Sequence, residues 1–164
     1  MAFCIWDGGY LPTEAEWDYA AQGGDEQRAH PWSSPPGSLT IDSSYASYAP
    51  GGGSSSCTGD GMPGCNVTDI VPVGTFSKNE GRWHHVDLAG NLYQWSLDWY
   101  GTYPLPCMDC ANLTNPVVGD EARAVRGGAF VYDKDNLRGG GGGRSNGYPT
   151  MRNYIHGIRC ARPM

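Results

Sequence analysis

No stretch of about 18 apolar residues occurs in this 164-residue chain, so nothing in it reads as a membrane span. Lysine is scarce, the formal charge is −6, and no basic stripe is present, which argues against nucleic acid as a partner. Charged residues make up only 17%, in a chain that rests on aromatic packing more than on long helices. No internal repeat is found. A single CxxC, Cys107 to Cys110, has no second copy to complete a zinc site and no following helix pattern of the thioredoxin kind.

What is present points to irregular backbone and aromatic packing. Glycine reaches 25, proline 12 and aromatics 12%, in a length that suits one domain with a real core. Six cysteines form an even set: Cys57 and Cys65 flank a glycine-rich turn, Cys107 and Cys110 flank Met-Asp, and Cys4 and Cys160 stand near the ends. Three disulfides in an extracytoplasmic protein (secreted, periplasmic or cell-surface) is the favoured reading, with reduced thiols as the other.

The densest stretch is Trp83 to Tyr100, WHHVDLAGNLYQWSLDWY. Ala89-Gly90-Asn91 interrupts any regular element, because Gly and Asn tolerate positive φ. From Leu92 the residues alternate, which predicts a strand with Tyr93, Trp95, Leu97 and Trp99 on a buried face. Asp87, the Gly90-Asn91 turn and Gln94 put oxygens around a tight bend. Such a bend holds a hard cation, or is a plain turn held by Asp and Asn side chains. His84-His85 reads as a surface pair rather than a metal site.

Upstream, Thr13 and Glu16 form a capping box that starts a helix ending at Gly23-Gly24, with Ala15, Tyr19 and Ala20 on one face. Residues 25 to 65 lack periodicity. Ile70 to Phe76 predicts a short edge strand interrupted by Pro72. Ala122 to Phe130 predicts a strand ending at Gly127-Gly128, where backbone approaches something closely. Five glycines, 139 to 143, predict either a mobile loop or a tightly constrained one. Gly157 to Ala161 predicts a closing strand.

Four motifs in order carry a family resemblance. They are Gly9-Tyr10-Leu11-Pro12-Thr13-Glu14-Ala15-Glu16-Trp17; Asp87-Leu88-Ala89-Gly90-Asn91-Leu92-Tyr93-Gln94-Trp95; Val125-Arg126-Gly127-Gly128-Ala129; and Gly157-Ile158-Arg159-Cys160-Ala161. The chain resembles the formylglycine-generating-enzyme, or sulfatase-modifying-factor, domain. The resemblance implies an α+β domain over residues 1–164 with little regular secondary structure, a C-type-lectin-like fold of the formylglycine-generating-enzyme type. Domains of that family are longer, so the chain matches a C-terminal part, and a partner chain is expected to cover the surface of the missing half.

The resemblance also implies calcium, at Asp87, Gly90, Leu92 and Gln94, and at a second site of Ser47, Tyr48, Asp60 and Met62. Gln94 stands where the family has a carboxylate. It further implies a Cys4–Cys160 disulfide. Oxidising members bind copper(I) through two cysteines shortly after a Gly-Gly-Ser turn. Here the turn is Gly127-Gly128-Ala129, and the matching neighbourhood shows Tyr132 and Leu137. No copper is expected, because the soft thiolate ligands are gone. The expected role is a non-catalytic binding or structural module for a protein or glycan ligand. Tyr132, Asp133, Lys134, Asn146, Tyr148, Asn153, Tyr154 and His156 would present its contact surface, a vocabulary suited to adaptable recognition. Variable proteins of diversity-generating retroelements share this fold and mutate this terminal region. The alternative is an enzyme of altered chemistry, or one whose active residues lie outside the chain.

Overall fold

The computed structural model describes residues 1–53, 56–103, 110–115 and 121–163. Helix α1, Ala2–Trp6, opens the chain and buries only Cys4, leaving Phe3, Ile5 and Trp6 exposed. Helix α2, Glu14–Gln22, begins as its capping box predicts: Thr13 Oγ1 accepts from Glu16 N at 3.2 Å, and Thr13 N donates to Glu16 Oε2 at 2.8 Å. Such a cap contributes about 1 kcal/mol. Gly23, at φ 66°, closes the helix in the left-handed conformation. The buried face is Glu14, Trp17 and Ala21, whereas Ala15 and Tyr19 are exposed. The expected face is thus rotated. Trp17 carries the most apolar area on the helix, and Glu14 is drawn in by two arginines.

Four strands make one sheet in the order β3-β2-β1-β4: β1 Tyr93–Trp99, β2 Arg123–Arg126, β3 Arg144–Gly147 and β4 His156–Gly157. β1 pairs antiparallel with β2 and parallel with β4, and β2 pairs antiparallel with β3. The closing strand is shorter than expected; beyond it only Ala161 bridges, to Tyr10. Ile70 to Phe76 forms no strand. Its backbone is met by side chains instead, Val71 N donating to Asn91 Oδ1 at 3.1 Å and Val71 O accepting from Asn91 Nδ2 at 3.0 Å.

The alternation in β1 is real, but the wholly buried face is the polar one. Gln94, Ser96 and Asp98 are buried, while Trp95, Leu97 and Trp99 are half-buried. The polar face looks onto α2 and fastens it there. Gln94 Oε1 accepts from Trp17 Nε1 at 3.0 Å, and Asp98 Oδ2 accepts from Glu14 N at 2.7 Å, at the positive end of the helix dipole.

Beneath that contact lies a buried ionic cluster. Arg144 binds Glu14 through two bonds, at 2.7 and 3.1 Å, and Tyr103 donates to the same carboxylate at 2.7 Å. Arg126, fully buried, pairs with Asp18 and reaches within 3.6 Å of Glu14. Burial and the Glu14 carboxylate push the Tyr103 hydroxyl well above its usual range. The five-glycine run is the constrained alternative: Gly139 N donates to Ala29 O at 3.0 Å, Gly140 N to Asp18 Oδ1 at 3.0 Å, and Gly143 O accepts from Gly127 N at 3.2 Å.

Disulfides join Cys4 to Cys160 and Cys57 to Cys65. Cys110 is also disulfide-bonded, and Cys107 lies outside the described residues.

Candidate functional site

The Asp87–Gln94 turn does bring its four expected residues together, and all line one open cavity with Arg159. Asp87 and Asn91 both take positive φ, 58° and 64°. The oxygens, however, already have proton donors. Asp87 Oδ2 accepts from Gly74 N and Oδ1 from Asn79 Nδ2, both at 2.6 Å. Asp87 O accepts from Gln94 Nε2 at 2.6 Å, and Gly90 O from Leu92 N at 2.8 Å. Gln94 Oε1 takes Arg159 Nε at 2.8 Å besides Trp17, and Arg159 Nη2 reaches Val86 O at 2.5 Å. Burial lowers the pKa of Arg159, and the nearby Asp87 carboxylate opposes that shift. A calcium ion needs several free oxygens and a surplus of negative charge. As folded, the Asp87 carboxylate and the Gln94 oxygen are taken by protein donors, with Arg159 supplying the positive charge at Gln94.

The second expected set is divided. Ser47 is buried, and its hydroxyl donates to Asp69 O at 2.8 Å; Tyr48 O accepts from Thr58 N at 3.0 Å. Asp60 is exposed, with Met62 N on Oδ1 at 2.9 Å and Thr68 Oγ1 on Oδ2 at 2.5 Å. The hub between them is Asp69, which sequence reasoning missed. Its carboxylate accepts from Gly59 N at 3.0 Å, Asp60 N at 3.2 Å and Asn66 N at 2.9 Å. The signal was the Asn66–Asp69 spacing, a capping box ahead of a single 3₁₀ turn.

Gly127 and Gly128 both have positive φ, and a Cβ at Gly127 would meet Leu88 O at 2.6 Å. The chain past them is anchored by Phe130 N donating to Asn91 O at 2.9 Å. Ala129 and Leu137 are fully buried, whereas Tyr132 is 36% exposed. The two positions that the resemblance sets against copper-binding cysteines differ here: Leu137 is core and Tyr132 is surface. Tyr132 stands edge-on to Tyr93 with centroids 5.4 Å apart, and Tyr93, pushed up to about 12 by burial, lies 6.0 Å from His156. Tyr154 packs its ring 6.2 Å from Phe130 while staying 62% exposed.

These contacts gather Tyr132, Tyr154 and His156 around one end of β1 and β4. Asn146 and Tyr148 flank Gly147, which lies against the His156 ring; both are exposed. Asp133 instead caps the 3₁₀ turn Lys134–Leu137, accepting from Asp135 N at 3.0 Å and Asn136 Nδ2 at 2.9 Å. Asn153 Oδ1 is occupied by Ile155 N at 3.1 Å. Lys134 has an exposed side chain, but its carbonyl is 3.3 Å from His30 Nε2. His84 pairs with Glu80 at 2.6 Å on the surface.

A sparse sheet, few helices and long ordered loops define an α+β domain of the formylglycine-generating-enzyme type. The model of the sulfatase-modifying factor enzyme 1-like domain matches residues 1–164, and the chain belongs to that family. It is 32% identical to the serine/threonine-protein kinase pkn1 of Chlamydia caviae over 162 residues, 98% of this chain and 22% of that protein. It is 32% identical to the formylglycine-generating enzyme of Mus musculus over 166 residues, 98% of this chain and 41% of that one. The chain thus spans less than half the length of these curated relatives.

Among solved structures, PvdO from Pseudomonas aeruginosa superposes with a TM-score of 0.70 at 21% identity, covering 99% of this chain and 58% of that chain. Treponema denticola variable protein 1 gives 0.60 at 27% identity, covering 93% and 47%. No helix among the described residues is long and apolar enough to cross a membrane.

Proposed function

We propose that this domain is a non-catalytic binding module of an extracytoplasmic protein, presenting the surface around Tyr132, Tyr148, Tyr154 and His156 to a protein or glycan. The observation that carries the reading is the state of sulfur in the fold. The five described cysteines, Cys4, Cys57, Cys65, Cys110 and Cys160, are all in disulfides. Position 137, matched to a copper ligand, is a leucine buried with Ala46, Tyr48 and Ala89. A thiolate is the soft ligand copper(I) requires, and a core leucine offers none. The disulfides also accord with an oxidising compartment. The likeness to Treponema denticola variable protein 1 supports display of exposed residues near the C-terminal end.

A second reading draws on the mouse formylglycine-generating enzyme, of which this chain spans 41%. In it the domain belongs to an enzyme whose reactive groups lie elsewhere. One assay tests the first reading. Incubated with copper(I), oxygen and a cysteine-containing sulfatase-motif peptide, the protein leaves the peptide cysteine unchanged by mass spectrometry. Turnover would overturn the first reading. A glycan and protein array probed with wild type and with Tyr154→Ala should show spots that the variant loses.

A further inference from the structure

Strand β3, Arg144–Gly147, is one edge of the sheet, and the register fixes which of its backbone groups face outward. Gly127 N donates to Gly143 O at 3.2 Å, one step beyond the Arg126–Arg144 pair, so Gly127 and Gly143 form a hydrogen-bonded pair. Bonded and unbonded pairs alternate along an antiparallel ladder. Ser145 opposite Val125 and Gly147 opposite Arg123 are therefore bonded, and they spend their N–H and C=O groups on β2. Arg144 opposite Arg126 and Asn146 opposite Ala124 are unbonded, so their N–H and C=O groups point away from the sheet. Among the described residues nothing beyond the sheet meets those four groups, or the N–H of Tyr148. The row ends there, because Tyr148 O accepts from Met151 N at 2.9 Å.

Sheets blunt an open edge with lysine, proline, a bulge or a covering segment. β3 contains no lysine, proline or bulge, and its one charge is drawn aside, Arg144 binding Glu14 at 2.7 and 3.1 Å. Asn146 and Tyr148 are exposed, and neither side chain has a hydrogen-bond partner among the described residues. Donors and acceptors in a row, repeating about every 7 Å, match an extended backbone and not a sugar ring. The geometry points to strand addition: the outer edge of β3 takes an extended segment of a partner protein into the sheet. Arg144 and Asn146 supply the backbone bonds, and the Asn146 amide and Tyr148 ring contact the segment's side chains. This proposal rests on the display reading, shares Tyr148 with it, and makes the partner a protein rather than a glycan.

The test pans the whole chain against phage-displayed random linear peptides and synthesises the strongest binder with one backbone N-methyl group at each position in turn. Methylation should weaken binding about tenfold or more at alternate positions only. Amide exchange should slow at Asn146 on binding and stay unchanged at Ser145, whose N–H already serves β2. Asn146→Pro removes an outward N–H that the ladder does not use, so the melting transition should stay in place while binding falls about tenfold or more. Should that variant not fold, the N-methyl scan on the wild type decides alone. Array spots lost with Tyr154→Ala but kept with Asn146→Pro would uphold the display surface and overturn strand addition. No enriched peptide, or methylation without alternation, also overturns it. So does a dimer that Asn146→Pro dissolves in sedimentation velocity, because a second copy would then hold the edge.

Discussion

Arg159 places its Nε 2.8 Å from Gln94 Oε1, across 65 positions of sequence, and the same Gln94 oxygen takes the Trp17 indole at 3.0 Å. One neutral side chain thereby joins α2, the Asp87 turn and the last strand region.

Two melting experiments follow from that arrangement. Arg159→Ala removes charge-assisted bonds to Gln94 and Val86, each worth about 1.5–3 kcal/mol, and should lower the melting temperature by roughly 5 °C or more. A calcium chelator should leave the wild-type transition where it is. A calcium-dependent rise in differential scanning calorimetry would mean that the ion displaces Arg159.

Glu14 is 1% exposed and answers both Arg144 and Arg126. Glu14→Gln leaves the half-buried Arg144 without its carboxylate and the buried Arg126 with Asp18 alone, and should cost about 3 kcal/mol in urea unfolding. Glu16→Gln, on the exposed side of the same helix, keeps an amide at the capping position and should cost under about 1 kcal/mol.

His30 is 1% exposed and stacked 5.1 Å from Trp32; burial, opposed by the Lys134 carbonyl, holds its pKa below the usual histidine value. Burial also lowers His85 and His156. The unfolded chain therefore takes up protons first as pH falls. Stability should be flat above about pH 7 and decline below about pH 6.5, toward the lower folded values. Chemical denaturation from pH 8 to 5 reads this directly, and His30→Phe should shallow the decline.

The two described disulfides should differ in worth. Cys4–Cys160 spans 156 residues and Cys57–Cys65 only 8. Chain-entropy estimates give about 5 and about 2.5 kcal/mol. Replacing each pair by serine and comparing midpoints in urea tests the order, and equal losses would contradict it.

The parts legible in the sequence were those set by neighbours in the chain. The Thr13–Glu16 cap, the Gly127-Gly128 close approach and the alternation of β1 all appear as expected. The orientation of β1 did not, because alternation gives a period and not which face is deeper. Gln94, Ser96 and Asp98 are buried by partners far away in sequence, Trp17, Glu14 and Asn112 among them. Around the turn, the oxygens of Asp87 and Gln94 were readable, but the guanidinium that meets Gln94 comes from residue 159. Asp69 was missed because its three backbone donors surround it only after the loop closes.

The Cys4–Cys160 bond holds its two Cα atoms 5.3 Å apart, and Tyr10 bridges to Ala161 beside it. That bond closes residues 4 to 160 into one covalent ring, so a protease cut in any exposed loop between them leaves both pieces attached until the sulfurs are reduced.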